Sequence, residues 1–168
     1  INLQDKPQWY KDMVPTTLVP AVRFAGSGEV VWESEEVLRR LDTEFPETPR
    51  LYADPDRVEV AVAHTSRLMN SSIGLVYRAA NMTEEEIDVK RNELIAAADA
   101  VEAHLAAGGP FLAGSELSAA DCMAVPMLER YAVQLPYSAA ALQIRDPERW
   151  PSLALWYDAM GALPHYSE

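Results

Sequence analysis

The sequence is poor in cysteine, in positive charge and in long apolar runs. Cys122 is the one cysteine among 168 residues, which excludes an internal disulfide and leaves no thiolate cluster for zinc. A reducing compartment is the natural setting for such a chain. Lys and Arg number 14 against 26 Asp and Glu, a formal net charge of −12. That balance repels phosphate backbones and anionic membranes, so nucleic acid is not an expected partner, although a local basic pocket for a small anion remains open. No apolar run approaches the roughly 18–20 residues of a spanning helix, so no transmembrane segment is expected, and the start carries no secretion-signal pattern. Internal repeats and low-complexity tracts are absent. His64, His104 and His165 are scattered, without HxxxH spacing or a neighbouring cysteine. They read as surface or helix-packing side chains, and no metal site is expected.

What is present is a chain that is 49% hydrophobic, long enough for one sizeable core or two small packed domains. Its texture changes along its length. Val19-Pro20-Ala21-Val22-Arg23-Phe24 reads as a short strand, Gly26-Ser27-Gly28 as a turn, and Glu29-Val30-Val31-Trp32 as the hairpin partner. Ser34 opens a helix carrying Val37, Leu38 and Leu41. Residues 45–54 hold Pro46 and Pro49 and no periodic pattern, as an interdomain linker would.

From there the pattern is helical. Asp54-Pro55 is a helix start, with Asp at the N-cap and Pro at the first position, and that helix is expected to run to about Ala80. Thr83 and Glu86 form a capping box, followed by an apolar stripe of Ile87, Leu94, Ala98, Val101 and Leu105 that ends at Gly108-Gly109-Pro110. Ser118 and Asp121 form a second capping box, with Leu117 placed to staple against Cys122. A buried helix through Val125, Leu128 and Val133 follows, bent at Pro126. Trp150-Pro151-Ser152 opens the last helix. Trp9, Trp32, Trp150 and Trp156 are expected to be packing residues.

Four segments in this order carry a resemblance. NLQDKPQWY (residues 2–10) resembles the NLxxKPxW[FY] segment of the cytosolic glutathione transferase superfamily, most of all its omega, lambda and dehydroascorbate-reductase-like classes. Lys6 precedes Val19-Pro20 by 13 residues, and Glu33-Ser34 is similar to the family's Glu-Ser at the start of a helix. FLAGSELSAADCMAVPMLERY (residues 111–131) resembles the FLxGxxxSxADxxxxPxLxR[FY] segment of its all-helical domain. The resemblance implies an α+β chain: a truncated thioredoxin-like, glutathione-binding domain over residues 1–44, a linker over 45–54, and an all-helical carboxy-terminal domain over 55–168. Cytoplasm and plastid stroma both fit.

The resemblance also implies roles for Lys6, Val19, Pro20, Glu33 and Ser34. A cis bond before Pro20 would turn the chain and expose the backbone of Val19, which could then pair strand-like with the cysteinyl backbone of glutathione. Ser34, at a helix start, suits the γ-glutamyl carboxylate. Glu33 could accept from the γ-glutamyl ammonium, and Lys6 could meet the glycyl carboxylate or the cysteinyl carbonyl as a point charge. Taken singly, these are a solvated lysine, a turn and a helix start; their shared spacing is what points to a site. His64, Arg67 and Asn70 on the first long helix are placed to form a wall for the acceptor substrate. Cys122 follows the cap of a core helix and reads as a buried, inert thiol. No residue of this sequence is assigned as catalytic.

In the family the catalytic Cys, Ser or Tyr lies near the first strand and first helix. The resemblance places those elements, about 25–35 residues on ordinary element lengths, before Ile1. The sheet edge they would cover is then expected to meet upstream chain or a protein partner. Two functions are expected of the complete protein. One is a glutathione-dependent thiol transferase or reductase acting on a small electrophile, a disulfide or dehydroascorbate. The other is a non-catalytic subunit or scaffold of the same fold.

Overall fold

The computed structural model describes residues 1–164 and Tyr166; His165 lies outside the described residues. The chain divides into two compact units, Ile1–Tyr52 and Ala53–Glu168.

The first unit holds helix α1 (Gln8–Met13), strands β1 (Ala21–Arg23) and β2 (Val30–Trp32), and helix α2 (Ser34–Glu44). The two strands pair antiparallel, with Ala21 opposite Trp32, Val22 opposite Val31 and Arg23 opposite Val30. The connecting turn closes where Gly28 N–H donates to the Phe24 carbonyl at 2.8 Å. Gly28 has φ 72, a conformation that costs glycine least. Arg40 of α2 pins this turn: its Nε donates to Glu29 Oε2 at 3.1 Å and its guanidinium covers the Phe24 ring at 4.4 Å. Tyr10, Val14, Phe24, Val37 and Tyr52 are the buried apolar residues of the unit. Asp42, 4% exposed, accepts from Arg50 Nε at 3.0 Å and from Leu51 N–H at 2.6 Å. Burial pushes this carboxyl up, but the Arg50 and backbone hydrogen bonds outweigh it and hold the group below the usual carboxylate range.

Helix α1 is a departure from the sequence reading, which has no helix there. Six residues are too short for a periodic signal. Trp9 departs as well: it is 59% exposed rather than packed, because α1 turns the next residue, Tyr10, inward.

The second unit is built on helices α3 (Pro55–Tyr77), α4 (Glu84–Gly108), α5 (Ala119–Gln134) and α6 (Pro151–Gly161), with 3-10 turns at Ala79–Asn81 and Leu135–Tyr137. Asp54 caps α3 by accepting from Arg57 N–H at 3.1 Å. Helix α3 ends at Tyr77, three residues short of the expected Ala80, and passes into the 3-10 turn through Arg78 at φ −128, ψ 0. Both capping boxes form, Thr83 with Glu86 and Ser118 with Asp121. The stripe of Leu94, Ala98, Val101 and Leu105 is buried, and α4 packs on both α3 and α6. Each such leucine contributes about 1.5–3 kcal/mol by leaving water. On α5 the buried face is Ala124, Leu128 and Tyr131. Val133, expected in the core, is 66% exposed; five residues beyond Leu128 it lies about 140° around the helix. Pro126 sits on the exposed side of α5 without ending it.

Candidate functional site

Four of the residues expected at the site border the β1–β2 hairpin. The ladder ends with Ala21 opposite Trp32; Val19 and Pro20 lie just before it on one side, and Glu33 and Ser34 just after it on the other. The four residues therefore flank the open end of the hairpin, away from the Gly26-Ser27-Gly28 turn. The Val19–Pro20 bond is cis, and Val19 is 46% exposed.

Across from it the chain passes from β2 into α2 within a single residue. Glu33 makes that turn at φ 70, ψ 125, a left-handed conformation that costs a non-glycine residue on the order of 1–3 kcal/mol. No side chain caps α2. The Glu33 carbonyl already accepts from Val37 N–H at 3.0 Å, while the amides of the first turn, beginning with Ser34, have no partner within the helix. An exposed hydroxyl beside open helical amides offers hydrogen-bond donors that a carboxylate could accept from. Glu35 is drawn off to Arg39 at 2.6 Å.

Lys6 stands just before α1, whose N-cap is Pro7. Its Nζ donates to the Leu3 carbonyl at 3.0 Å on the surface, a bond that an anion can replace. Tyr10, on α1, donates its hydroxyl to the Leu18 carbonyl, one residue before Val19. Sequence reasoning gave Tyr10 no role. Its position one residue after Trp9 in the NLQDKPQWY segment was the available signal.

The wall expected from His64, Arg67 and Asn70 is divided. Arg67 and Asn70 line a groove of about 680 Å³ with Ala63, Ser66, Lys90 and Glu93. His64 instead stacks against His104, ring centroids 4.9 Å apart. The two histidines, read as isolated, meet because α3 and α4 pack together. His104 Nε2 lies 2.6 Å from the Leu112 carbonyl; a carbonyl only accepts, so Nε2 carries the proton. Burial first, then His104 and Arg67, pull the His64 pKa below its ordinary value. Cys122, expected to be buried, is half-buried; partial burial, with Asp121 adjacent, pushes its thiol up, which disfavours thiolate chemistry there. Among the described residues no group of three or more His, Cys, Asp or Glu side chains could hold a metal ion, and no helix is long and apolar enough to cross a membrane.

Residues 1–44 match the family model of the glutathione S-transferase N-terminal domain, and residues 84–159 that of the glutathione S-transferase C-terminal domain. The chain belongs to the glutathione S-transferase superfamily. Protein IN2-1 of Zea mays is 32% identical over 172 residues, covering 100% of this chain and 66% of that protein. Glutathione S-transferase DHAR2 of Arabidopsis thaliana is 29% identical over 136 residues, 80% of this chain and 58% of that protein. The chain thus spans about three-fifths of the length of these curated relatives. The crystal structure of glutathione transferase Omega 3C from Trametes versicolor superposes with a TM-score of 0.81 at 22% identity, covering 99% of this chain and 69% of that one. In that superfamily fold the first unit is part of a thioredoxin-like domain and the second is the helical domain.

Proposed function

We propose that the first unit binds glutathione through Lys6, Val19, Pro20, Glu33 and Ser34. We further propose that the complete protein is a glutathione-dependent thiol transferase or reductase of the omega, lambda or dehydroascorbate-reductase type. The observation that supports the reading is that the exposed Val19 and the uncapped start of α2 at Ser34 flank the same end of the hairpin. In this arrangement Val19 pairs with the cysteinyl backbone of the tripeptide. Ser34 and the α2 amides hold the γ-glutamyl carboxylate, Glu33 accepts from the γ-glutamyl ammonium, and Lys6 neutralises the glycyl carboxylate.

The chemistry that fits is disulfide exchange. A cysteine thiolate elsewhere in the complete protein attacks the glutathionyl sulfur of a mixed disulfide and releases the substrate thiol. A second glutathione thiolate then resolves the enzyme adduct as glutathione disulfide. Cys122 is unsuited to that role, since partial burial and the adjacent Asp121 push its thiol up, against thiolate formation. A serine or tyrosine in place of the reacting cysteine would favour conjugation to electrophiles. Arg67 and Asn70 are proposed as contacts for the acceptor substrate, in the groove they share with Lys90.

Calorimetric titration of the complete protein with glutathione, paired with reduction of a glutathionyl disulfide, tests this reading. Saturable binding with turnover supports it. Binding without turnover leaves the non-catalytic scaffold, and no binding removes the site altogether.

A further inference from the structure

Between Val14 and the start of β1 the chain runs exposed: Leu18 is 56% and Val19 46% accessible. Thr17 turns this stretch at φ 55, and its N–H donates locally to the Val14 carbonyl at 2.9 Å. Among the described residues one side chain of a helix ties it down. Tyr10, only 3% exposed, donates its hydroxyl to the Leu18 carbonyl at 2.5 Å.

That carbonyl shares a peptide plane with Val19 N–H. The Leu18–Val19 bond is not among the cis bonds of the chain, and in a trans peptide the C=O and the following N–H point in opposite directions within one rigid plane. Fixing the Leu18 oxygen therefore fixes the direction of the Val19 hydrogen. An exposed loop without this tether could rotate that plane freely, because the flanking residues bury little side chain to oppose it.

We infer that Tyr10 is a positioning residue for ligand binding: its hydroxyl, through the Leu18 carbonyl, aims Val19 N–H at the cysteinyl carbonyl of glutathione. The inference rests on the reading of Val19 as a glutathione contact. Helix α1 then acts as a strut, with Lys6 just before its first turn and the Tyr10 tether on its body, and one short element sets the spacing of two contacts to the same tripeptide. Tyr10 itself touches no ligand; it works by removing the rotational freedom that binding would otherwise have to freeze.

The experiment compares the complete protein with its Tyr10→Phe variant, which keeps the buried ring. Two ligands are titrated calorimetrically: glutathione, and a glutathione carrying a thioamide in place of its cysteinyl–glycyl amide, whose sulfur is the weaker acceptor. The expected result is a dissociation constant for glutathione raised about five- to ten-fold by the substitution, with a clearly smaller penalty for the thioamide ligand. Equal weakening of both ligands assigns Tyr10 a general structural role and overturns the inference. An unchanged constant overturns it too, while leaving the glutathione site in place. Failure of the parent protein to bind glutathione removes the site and the inference together.

Discussion

The carboxylate of Asp121 accepts the indole N–H of Trp156 at 2.7 Å, joining the start of α5 to the middle of α6. The same oxygen accepts from Leu112 N–H at 2.8 Å, and the other accepts from Ser118 N–H at 2.9 Å and from its hydroxyl at 2.6 Å. Asp121 is fully buried, so one side chain caps a helix, anchors the preceding loop and docks the last helix.

Replacing Asp121 by Ala leaves four buried donors without an acceptor. Each costs on the order of 1–3 kcal/mol when orphaned, so Asp121→Ala is expected to destabilise the helical unit by at least about 3 kcal/mol. Trp156→Phe, which removes one donor and leaves a small cavity where the fused ring stood, is expected to cost about 2 kcal/mol. Urea denaturation followed by circular dichroism measures both; equal losses for the two variants would contradict the shared role of the carboxylate.

Ser34→Ala deletes the hydroxyl at the α2 start and keeps the helical amides. Glutathione affinity is expected to fall by roughly 1–3 kcal/mol, since the lost bond is to a charged group. Thermal stability is expected to hold, because no side chain caps α2 in the free protein. Calorimetric titration of the two proteins provides the comparison.

Burial of His64 against His104 is expected to make the helical unit sensitive to acid. The folded His64 pKa lies below its ordinary 6.5, through burial, then His104, then Arg67. Below that ordinary value the unfolded chain binds the proton more readily, so stability is full above about pH 6.5 and falls as pH drops through the folded value. His64→Gln is expected to flatten this decline. Denaturant midpoints at several pH values between 5 and 8 supply the readout, and an identical slope in the variant would discount the stack.

Cys122 is expected to react slowly with iodoacetamide at neutral pH while the chain is folded, and at the rate of a free thiol once it is unfolded. Partial burial, reinforced by Asp121, pushes the thiol up, and the thiolate is the reacting species. Fast alkylation of the native protein would refute the assignment.

The sequence by itself determined the elements whose signals are local. Asp54, Thr83 with Glu86, and Ser118 with Asp121 cap the helices they were expected to cap, because a cap needs only residues within one turn. The hairpin and the start of α2 at Ser34 were legible for the same reason, through alternation, glycine and a polar helix start. Tertiary structure decided what depends on partners distant along the chain. It brought His64 to His104 and Trp156 to Asp121, turned Val133 outward, left Trp9 in solvent, and set the buried Tyr10 hydroxyl on the carbonyl before Val19. No local pattern encodes such contacts: helix packing chooses which face is covered, and a buried hydroxyl or indole takes whichever acceptor that packing brings within reach.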